Sequence, residues 1–206
     1  MSEPAATRPE ATSVTRDEAG RVVARVPLRD GAPHGLAEAF AEDGRRTRAA
    51  PFRAGLLDGE VVDDDVDGGR RLRFTFAAGV LEGPAVVEQA GRRLIAMHFK
   101  QGALDGPFAL YDAASGRLLY QATYAAGRLH GLATTFGPDG AKQRESTYRA
   151  GLLDGEVVDY APDGSVTART RYRAGEPVAA AADEGAGGDA GEPWFRRWAR
   201  TPEPRR

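Results

Sequence analysis

The amino-acid sequence predicts an all-β protein: a single-layer antiparallel meander, or solenoid, of about six two-stranded repeats. Three observations predict this fold. Glycines recur at a nearly constant spacing, apolar and polar residues alternate between them, and the segments of variable length contain turn sequences.

Short Gly-x-x-x-Gly units recur along the chain at steps of 23 to 25 residues. They begin at Gly31, Gly55, Gly79, Gly102, Gly127 and Gly151, and Gly175 opens an incomplete seventh unit. A further glycine precedes each unit by 11 residues, so the variation in length falls between the second glycine of one unit and this further glycine. Segments of fixed length are typical of paired strands, because a slip of one residue would turn every side chain to the wrong face.

The segments of variable length carry hairpin-turn chemistry, as in Pro138-Asp139-Gly140 and Pro162-Asp163-Gly164. Between the turns, alternation with a period of two indicates half-buried strands. It predicts one shared face for Leu118, Tyr120, Ala122 and Tyr124, and one for Val166, Ala168, Thr170 and Tyr172. Each repeat is therefore expected to consist of two short antiparallel strands.

The composition excludes several classes of function. The chain has 28 Lys and Arg residues against 30 Asp and Glu residues, a net charge of −2, which argues against a dedicated nucleic-acid-binding protein. It has no cysteine, so cysteine nucleophiles and thiolate metal sites are excluded. The nucleophile-elbow, Walker, His-Glu-x-x-His and dinucleotide-binding motifs are also missing. We therefore expect no enzymatic activity, no catalytic residue and no cofactor.

Composition also divides the chain into four parts. Residues 1–19 are polar and are predicted to be disordered, and residues 20–175 form the repeat domain. Residues 176–192 are an acidic linker rich in Ala and Gly, and residues 193–206 are a segment rich in Trp and Arg that is predicted to contain a short helix. Because no apolar run resembles a signal peptide or a membrane span, we expect a cytoplasmic protein.

Aromatic residues recur at two places in each repeat. The pattern aromatic-x-x-Gly-x-x-x-Gly runs from Phe52 to Gly59, Phe99 to Gly106, Tyr124 to Gly131 and Tyr148 to Gly155, and a second ring follows the second glycine by five residues at Phe40, Tyr111, Phe136 and Tyr160. This pattern resembles MORN repeats, in the form found in bacterial YwqK-like antitoxin proteins. Asp64 and Glu88 depart from it in place of the second ring, as does Leu28 in place of the first. The resemblance implies an extended twisted sheet and a binding or immunity role beside a toxin.

The two sets of rings receive different interpretations. The first-ring column is expected to fill the space between hairpins as core; it comprises Phe52, Phe76, Phe99, Tyr124, Tyr148 and Tyr172. The second-ring column comprises Phe40, Tyr111, Phe136 and Tyr160. Because a one-layer sheet cannot cover both of its faces, this column is the candidate partner-binding surface.

The C-terminal segment contains both tryptophans of the chain and supplies further candidate partner-binding residues: Trp194, Phe195, Arg196, Arg197 and Trp198. Three uses are open. The segment could cap the last strand, bind a protein through Trp and Arg, or contact an anionic membrane surface.

A run of acidic residues matches the opening of a calcium loop, with Asp63, Asp65 and Asp67 at alternate positions before a glycine. The match fails further on, because the twelfth position of an EF-hand loop would be Phe74. We expect no metal here and favour a hairpin turn with an acidic patch that meets a basic partner, with calcium as the alternative. A further titratable column precedes the second glycines and is expected to be a solvated margin of the sheet: His34, Asp58, Glu82, Asp105, His130 and Asp154.

The sequence thus favours a non-enzymatic interaction protein. Its expected partner is another protein, a toxin or effector that the chain neutralises or escorts. The alternative is a scaffold associated with a membrane or with phospholipids, in which the Trp/Arg segment makes the contact.

Overall fold

The computed structural model describes residues 11–65 and 69–178, and these residues form one open antiparallel sheet without any helix. The predicted all-β meander is confirmed. Nineteen strands follow in chain order, and pairing joins strands that are neighbours along the chain. Five of the strands are two-residue arms that lead out of hairpin turns, and four of these arms are followed by a longer strand that pairs with the same neighbour.

The strands have the following bounds: β1 Ala11–Arg16, β2 Val22–Arg29, β3 Ala32–Pro33, β4 Gly35–Phe40, β5 Arg46–Arg53, β6 Leu56–Leu57, β7 Gly59–Asp65, β8 Arg70–Ala77, β9 Val80–Gln89, β10 Arg92–Lys100, β11 Ala103–Leu104, β12 Gly106–Tyr111, β13 Leu118–Ala125, β14 Arg128–Leu129, β15 Gly131–Phe136, β16 Lys142–Arg149, β17 Leu152–Tyr160, β18 Val166–Arg173 and β19 Glu176–Pro177.

The Gly-x-x-x-Gly units form the hairpin turns along one edge of the sheet, which we call the glycine edge. Ala126 has a φ of 47° and Gly127 a φ of 78°, and a type I′ turn requires two successive positive φ values. The N–H of Gly127 also donates to the carbonyl of Leu104 in the preceding unit, at 2.7 Å, and Gly151 donates in the same way to Leu129. Successive turns are thereby joined to one another, which explains why the spacing of the units varies so little.

An alanine in the left-handed region is strained, and Ala150 has a φ of 50°. We expect Ala150→Asn to raise the free energy of unfolding by about 0.5–1 kcal/mol, because asparagine tolerates this conformation better and Asn-Gly is a preferred type I′ pair. Thermal denaturation measures the change. Ala114 lies in a turn without a positive φ, so Ala114→Asn is the matched control; an equal gain at both positions would contradict the argument.

Most turns at the opposite edge are longer and are accompanied by β-bulges, although Ala90 and Gly91 form a two-residue turn between β9 and β10. In the turn 161–165, Gly164 donates its N–H to the carbonyl of Ala161 at 2.9 Å, and Ala161 donates to that of Ser165 at 2.8 Å. The register shifts by one residue beside this turn, between Asp159 and Tyr160. Consequently Val166 pairs with Tyr160, and Leu118 likewise pairs with Tyr111. The predicted simple alternation is wrong at these two residues, because a bulge inserts one residue into the strand.

Cross-strand pairing builds a continuous row of small and apolar side chains across one face, which we call the apolar face. The row contains Val26, Ala37, Ala50, Val61, Phe74, Ala85, Met97, Phe108, Ala122, Ala133, Ser146 and Val157. Val61 is 3% exposed and Ala85 is 1% exposed, whereas Phe74, Met97 and Phe108 are half-buried. The core therefore follows the middle of the sheet as a narrow band.

The other face, which we call the polar face, carries charged residues and the second-ring column. Arg25 pairs across strands with Glu38, and Thr134 pairs with Glu145. Thr134 is nevertheless only 1% exposed. Most ion pairs of this face are exposed, so each contributes little to stability.

The first-ring column lies on the apolar face. Each ring pairs across strands with the second glycine of a unit, as Tyr124 does with Gly106 and Tyr148 with Gly131. A position without a side chain leaves room for the ring opposite. The rings are half-buried, and burial raises the pKa of Tyr124 and of Tyr148.

The sheet extends beyond the predicted limits of the repeat domain at both ends. Residues 11–16, expected to be disordered, form β1, and Glu176 and Pro177, expected to open the linker, form β19. β1 pairs with the otherwise open side of β2, and its alternating Thr, Ser and Val residues suit an edge strand. The remaining predictions for 1–10 and for 179–206, including the short helix, concern residues outside the described part of the chain.

Candidate functional site: the second-ring surface

The structure places the four second-ring residues at equivalent positions on the polar face. Phe40, Tyr111, Phe136 and Tyr160 are the last residues of β4, β12, β15 and β17. Each ring precedes a turn of the edge opposite the glycine edge and lies at a register shift. All four are half-buried, so each ring presents part of its surface to solvent.

The turns that follow the rings are held by their own aspartates. Asp163 accepts the N–H of Ser165 at 2.9 Å and its hydroxyl at 2.6 Å. These bonds lower the pKa of the Asp163 carboxyl, with the Ser165 hydroxyl as the largest cause. Asp139 accepts the N–H of Ala141 at 3.0 Å in the preceding turn. The rings therefore sit on ordered hairpin ends, which limits the entropy that binding would cost.

Tyr160 has the most elaborate surroundings of the four. Its hydroxyl donates to Glu145 at 2.6 Å, and the Lys142 ammonium lies 6.0 Å from the ring centre and 2.7 Å from Glu145. The bond to Glu145 raises the pKa of Tyr160. Lys142 and then Tyr160 lower the pKa of Glu145. The ring is thus fixed by a hydrogen bond at its edge and a cation above its face.

This cluster predicts a specific acid response. A carboxyl with a depressed pKa contributes stability that is present above its ordinary pKa of about 4.3 and is lost as the pH falls through the folded value. We expect Glu145→Gln to lower the melting temperature at pH 7 and to lower it less at pH 3. Thermal scans across this range measure the difference, with Glu18→Gln in an exposed turn as the control. A difference that does not change with pH would contradict the assignment.

Phe40 lies apart from the other three rings. The guanidinium carbon of Arg25 lies 5.5 Å from the centre of its ring. Between β4 and β12 the equivalent positions are Asp64 and Glu88, which pair with Arg71 and Arg73. The structure therefore brings together Tyr111, Phe136 and Tyr160 from consecutive repeats, roughly 9–10 Å apart, and separates them from Phe40 by an ion-paired stretch.

Sequence reasoning missed the side chains that hold these rings. Arg25 and Lys142 reach the rings from a neighbouring strand, and the bond between Tyr160 and Glu145 joins residues 15 apart. Lys142 pairs across strands with Phe136, and this pairing could have been predicted from the length of the turn between the two residues. The stacked cation over Tyr160 could not, because it depends on the twist and on the side-chain rotamers.

A second group of rings lies on the apolar face. Phe108 packs edge-to-face against Tyr120, with ring centres 6.1 Å apart, and against Tyr124, with centres 5.7 Å apart. Burial is the largest cause that raises the pKa of Tyr120. Such contacts contribute about 0.5–1.5 kcal/mol each beyond the burial of area, so this group serves the sheet itself.

The titratable column beside the second glycines also has structural partners. Glu82 accepts the N–H of Gln101 at 2.7 Å, and Asp105 accepts that of Ala126 at 3.1 Å. His34 accepts a hydrogen bond from the N–H of Ala54 at 3.3 Å. Asp58 pairs with Arg53, and Asp154 pairs with Arg149. These residues form hydrogen bonds and ion pairs at the glycine edge, whereas the sequence predicted only a solvated margin of the sheet.

The described part of the acidic run, Asp63 to Asp65, lies in a strand. Asp63 and Asp65 belong to β7, and Asp67 is outside the described residues. β8 places Arg71 opposite Asp64 and Arg70 opposite Asp65, and Asp63 lies 3.5 Å from Arg48. Arginines therefore face the three carboxylates of the run that the structure describes: Asp63, Asp64 and Asp65. Within 11–65 and 69–178, no three His, Asp or Glu side chains are placed to hold a metal ion.

The candidate residues Trp194, Phe195, Arg196, Arg197 and Trp198 lie outside the described part of the chain. Within that part, no helix is long and apolar enough to cross a membrane. No protein-family model matches this sequence, and no curated protein matches it significantly.

Proposed function

We propose that this chain is a non-enzymatic protein-binding scaffold whose partner docks on the polar face over Tyr111, Phe136 and Tyr160. The observation that carries the proposal is the arrangement of these rings. Three partly exposed aromatic side chains project from consecutive repeats of one sheet, and ordered turns hold them. Tyrosine and other aromatic residues are enriched at protein interfaces because they supply contact area at a small entropic cost.

The partner class is proposed from the resemblance to MORN repeats of the YwqK-like kind. It is a toxin or effector that this protein neutralises as an antitoxin or immunity protein, or escorts. The mode of action is steric, since a preformed sheet face can cover a partner's active site. The Trp/Arg segment is proposed as a second contact that raises the effective concentration of the first.

Substitution of the three rings tests this function. We expect the Tyr111→Ala, Phe136→Ala and Tyr160→Ala triple variant to lose at least about tenfold in affinity for a partner purified with the full-length chain from the native host, because aromatic hot spots contribute about 2 kcal/mol or more. Isothermal titration measures the affinity, and circular dichroism verifies the fold.

The matched control uses exposed apolar residues of the same chain near the glycine edge. Leu36 is 44% exposed and Leu132 is 51% exposed, so Leu36→Ala with Leu132→Ala should leave the affinity unchanged. Unchanged binding by the ring variant would remove this surface from the proposal. Recovery of lipid in place of a protein partner would overturn the function as a whole.

A further inference from the structure

In the part of the chain that the structure describes, β18 is the last long strand, and most of it has no neighbour on the side away from β17. β18 pairs with β17 through six residue pairs. On its other side, β19 pairs only with Tyr172 and Arg173, and Val178 donates its N–H to the carbonyl of Arg171 at 2.7 Å. Among the described residues, no strand pairs with Val166–Thr170 on this other side.

The direction of the backbone groups shows what this side can bind. The carbonyl of Arg171 points away from β17, since it receives the N–H of Val178. In an extended strand the groups of alternate residues point the same way, so the N–H and C=O of Arg169 also face the open side. Seven of the eight residues of β18 are exposed, which leaves these groups accessible to another chain.

The side chains of β18 differ between its two faces. Arg169, Arg171 and Arg173 alternate and therefore lie on the polar face. Arg169 pairs with Glu156, whereas Arg171 and Arg173 form no ion pair with a described residue. Ala168, Thr170 and Tyr172 lie on the apolar face. A strand added here would meet a basic row on one face and an apolar row on the other.

We propose that the open side of β18 adds an extended strand of a protein partner, in which acidic residues alternate with apolar ones. The acidic residues would face the three arginines, and the backbone groups of Arg169 would join the ladder. This inference rests on the proposed function and deepens it by naming the chemistry of the partner. The added strand would lie next to the ring surface, because Val166 of β18 pairs with Tyr160.

Charge favours this occupant over two others. The edge strand β1 of a second copy contains no acidic residue, so it offers nothing to the arginine row. The chain's own segment 179–192 contains Asp183, Glu184, Asp189 and Glu192. Asp183 and Glu184 are adjacent and would face opposite sides of a strand, and the rest of the segment is alanine and glycine, which do not favour a strand.

The test uses the full-length chain and a labelled, end-capped seven-residue peptide of alternating Val and Glu, with fluorescence anisotropy as the readout. Two variants at one position separate the backbone from the charge. Arg169→Thr removes the cation and keeps the N–H, and we expect it to weaken binding about threefold to tenfold. Arg169→Pro also removes the outward N–H, and an edge strand tolerates proline at such a position. We expect Arg169→Pro to weaken binding at least about tenfold more than Arg169→Thr.

The controls determine how each result is interpreted. A peptide of alternating Val and Lys should not bind, and Arg128→Glu at the glycine edge should leave the affinity for the acidic peptide unchanged. If the two Arg169 variants lose the same affinity for the acidic peptide, the peptide binds only through general attraction between opposite charges. That result would overturn strand addition. No binding by the wild-type chain would overturn it as well. Self-association that Arg169→Pro abolishes would assign the edge to a second copy instead.

The peptide assay is independent of the ring surface. The triple ring variant should still bind the acidic peptide, because its substitutions leave β18 intact. If the native partner depends on the rings but the peptide does not bind, this inference fails and the proposed function stands. If the peptide binds but no protein partner depends on the rings, the proposed docking surface fails.

Discussion

Gly155→Ala is expected to destabilise the sheet by about 2–5 kcal/mol. Gly155 has a φ of +135°, and a Cβ at this position would lie 2.8 Å from the Cβ of Thr147 and 3.0 Å from its Cγ2. The substitution therefore combines backbone strain of about 1–3 kcal/mol with an overpacking cost of similar size. Chemical denaturation monitored by circular dichroism measures the change in the free energy of unfolding.

Gly131 is the matched control, because it is the second glycine of the preceding unit. Its φ is +84°, and a Cβ built there would meet nothing within 4 Å. Gly131→Ala should therefore cost only the strain of a left-handed alanine, about 1–2 kcal/mol. Thr147→Gly in the Gly155→Ala chain should recover part of the overpacking cost. Equal effects at the two glycines would show that the close approach to Thr147 contributes nothing.

Ala85→Asp is expected to have an effect of similar or greater size, about 3–5 kcal/mol. Ala85 is 1% exposed and pairs with Phe74 on one side and Met97 on the other. A carboxylate at this position of the apolar face has no cation across the strands, so it would be buried without a partner or would have to take up a proton. Thermal denaturation at pH 7 and at pH 4 separates these two outcomes, since protonation recovers part of the lost stability.

An exposed alanine supplies the comparison for this charge. Ala125 lies in β13 and is exposed, so Ala125→Asp should change the free energy of unfolding by no more than about 1 kcal/mol. A mild effect at Ala85 would show that the row of small residues is not the core of the sheet. The two predictions together test the two features that hold the repeats in register: the second glycines and the buried row.

The repeat could be derived from the sequence because its causes are local. A type I′ turn needs positive φ values at fixed positions, and a ladder needs strands of fixed length, so glycine spacing and alternation predict both. The first strand was missed because Ala11–Arg16 lacks the glycine units and is polar. Its strand structure depends on the open side of β2, with which it pairs along its length.

The candidate site could be predicted from the sequence only in part. The spacing of the second-ring column placed four rings on one surface, and the sheet does put them at equivalent positions. The separation of Phe40 follows from Asp64 and Glu88, which replace the second ring in the repeat pattern. That these carboxylates pair with Arg71 and Arg73 depends on the register of β8 against its two neighbours.

The sequence by itself determined the all-β class, the number and length of the repeats, and the turns that join their strands, because each depends on residues close together in the chain. The tertiary structure alone decided which rings are neighbours, which cations lie over Phe40 and Tyr160, and that arginines face Asp63, Asp64 and Asp65. It also decided that, among the described residues, β18 has no neighbour along most of the side away from β17. These features depend on register, bulges and strand order, which bring together residues that are not neighbours in the sequence, such as Arg25 and Phe40 or Arg73 and Glu88.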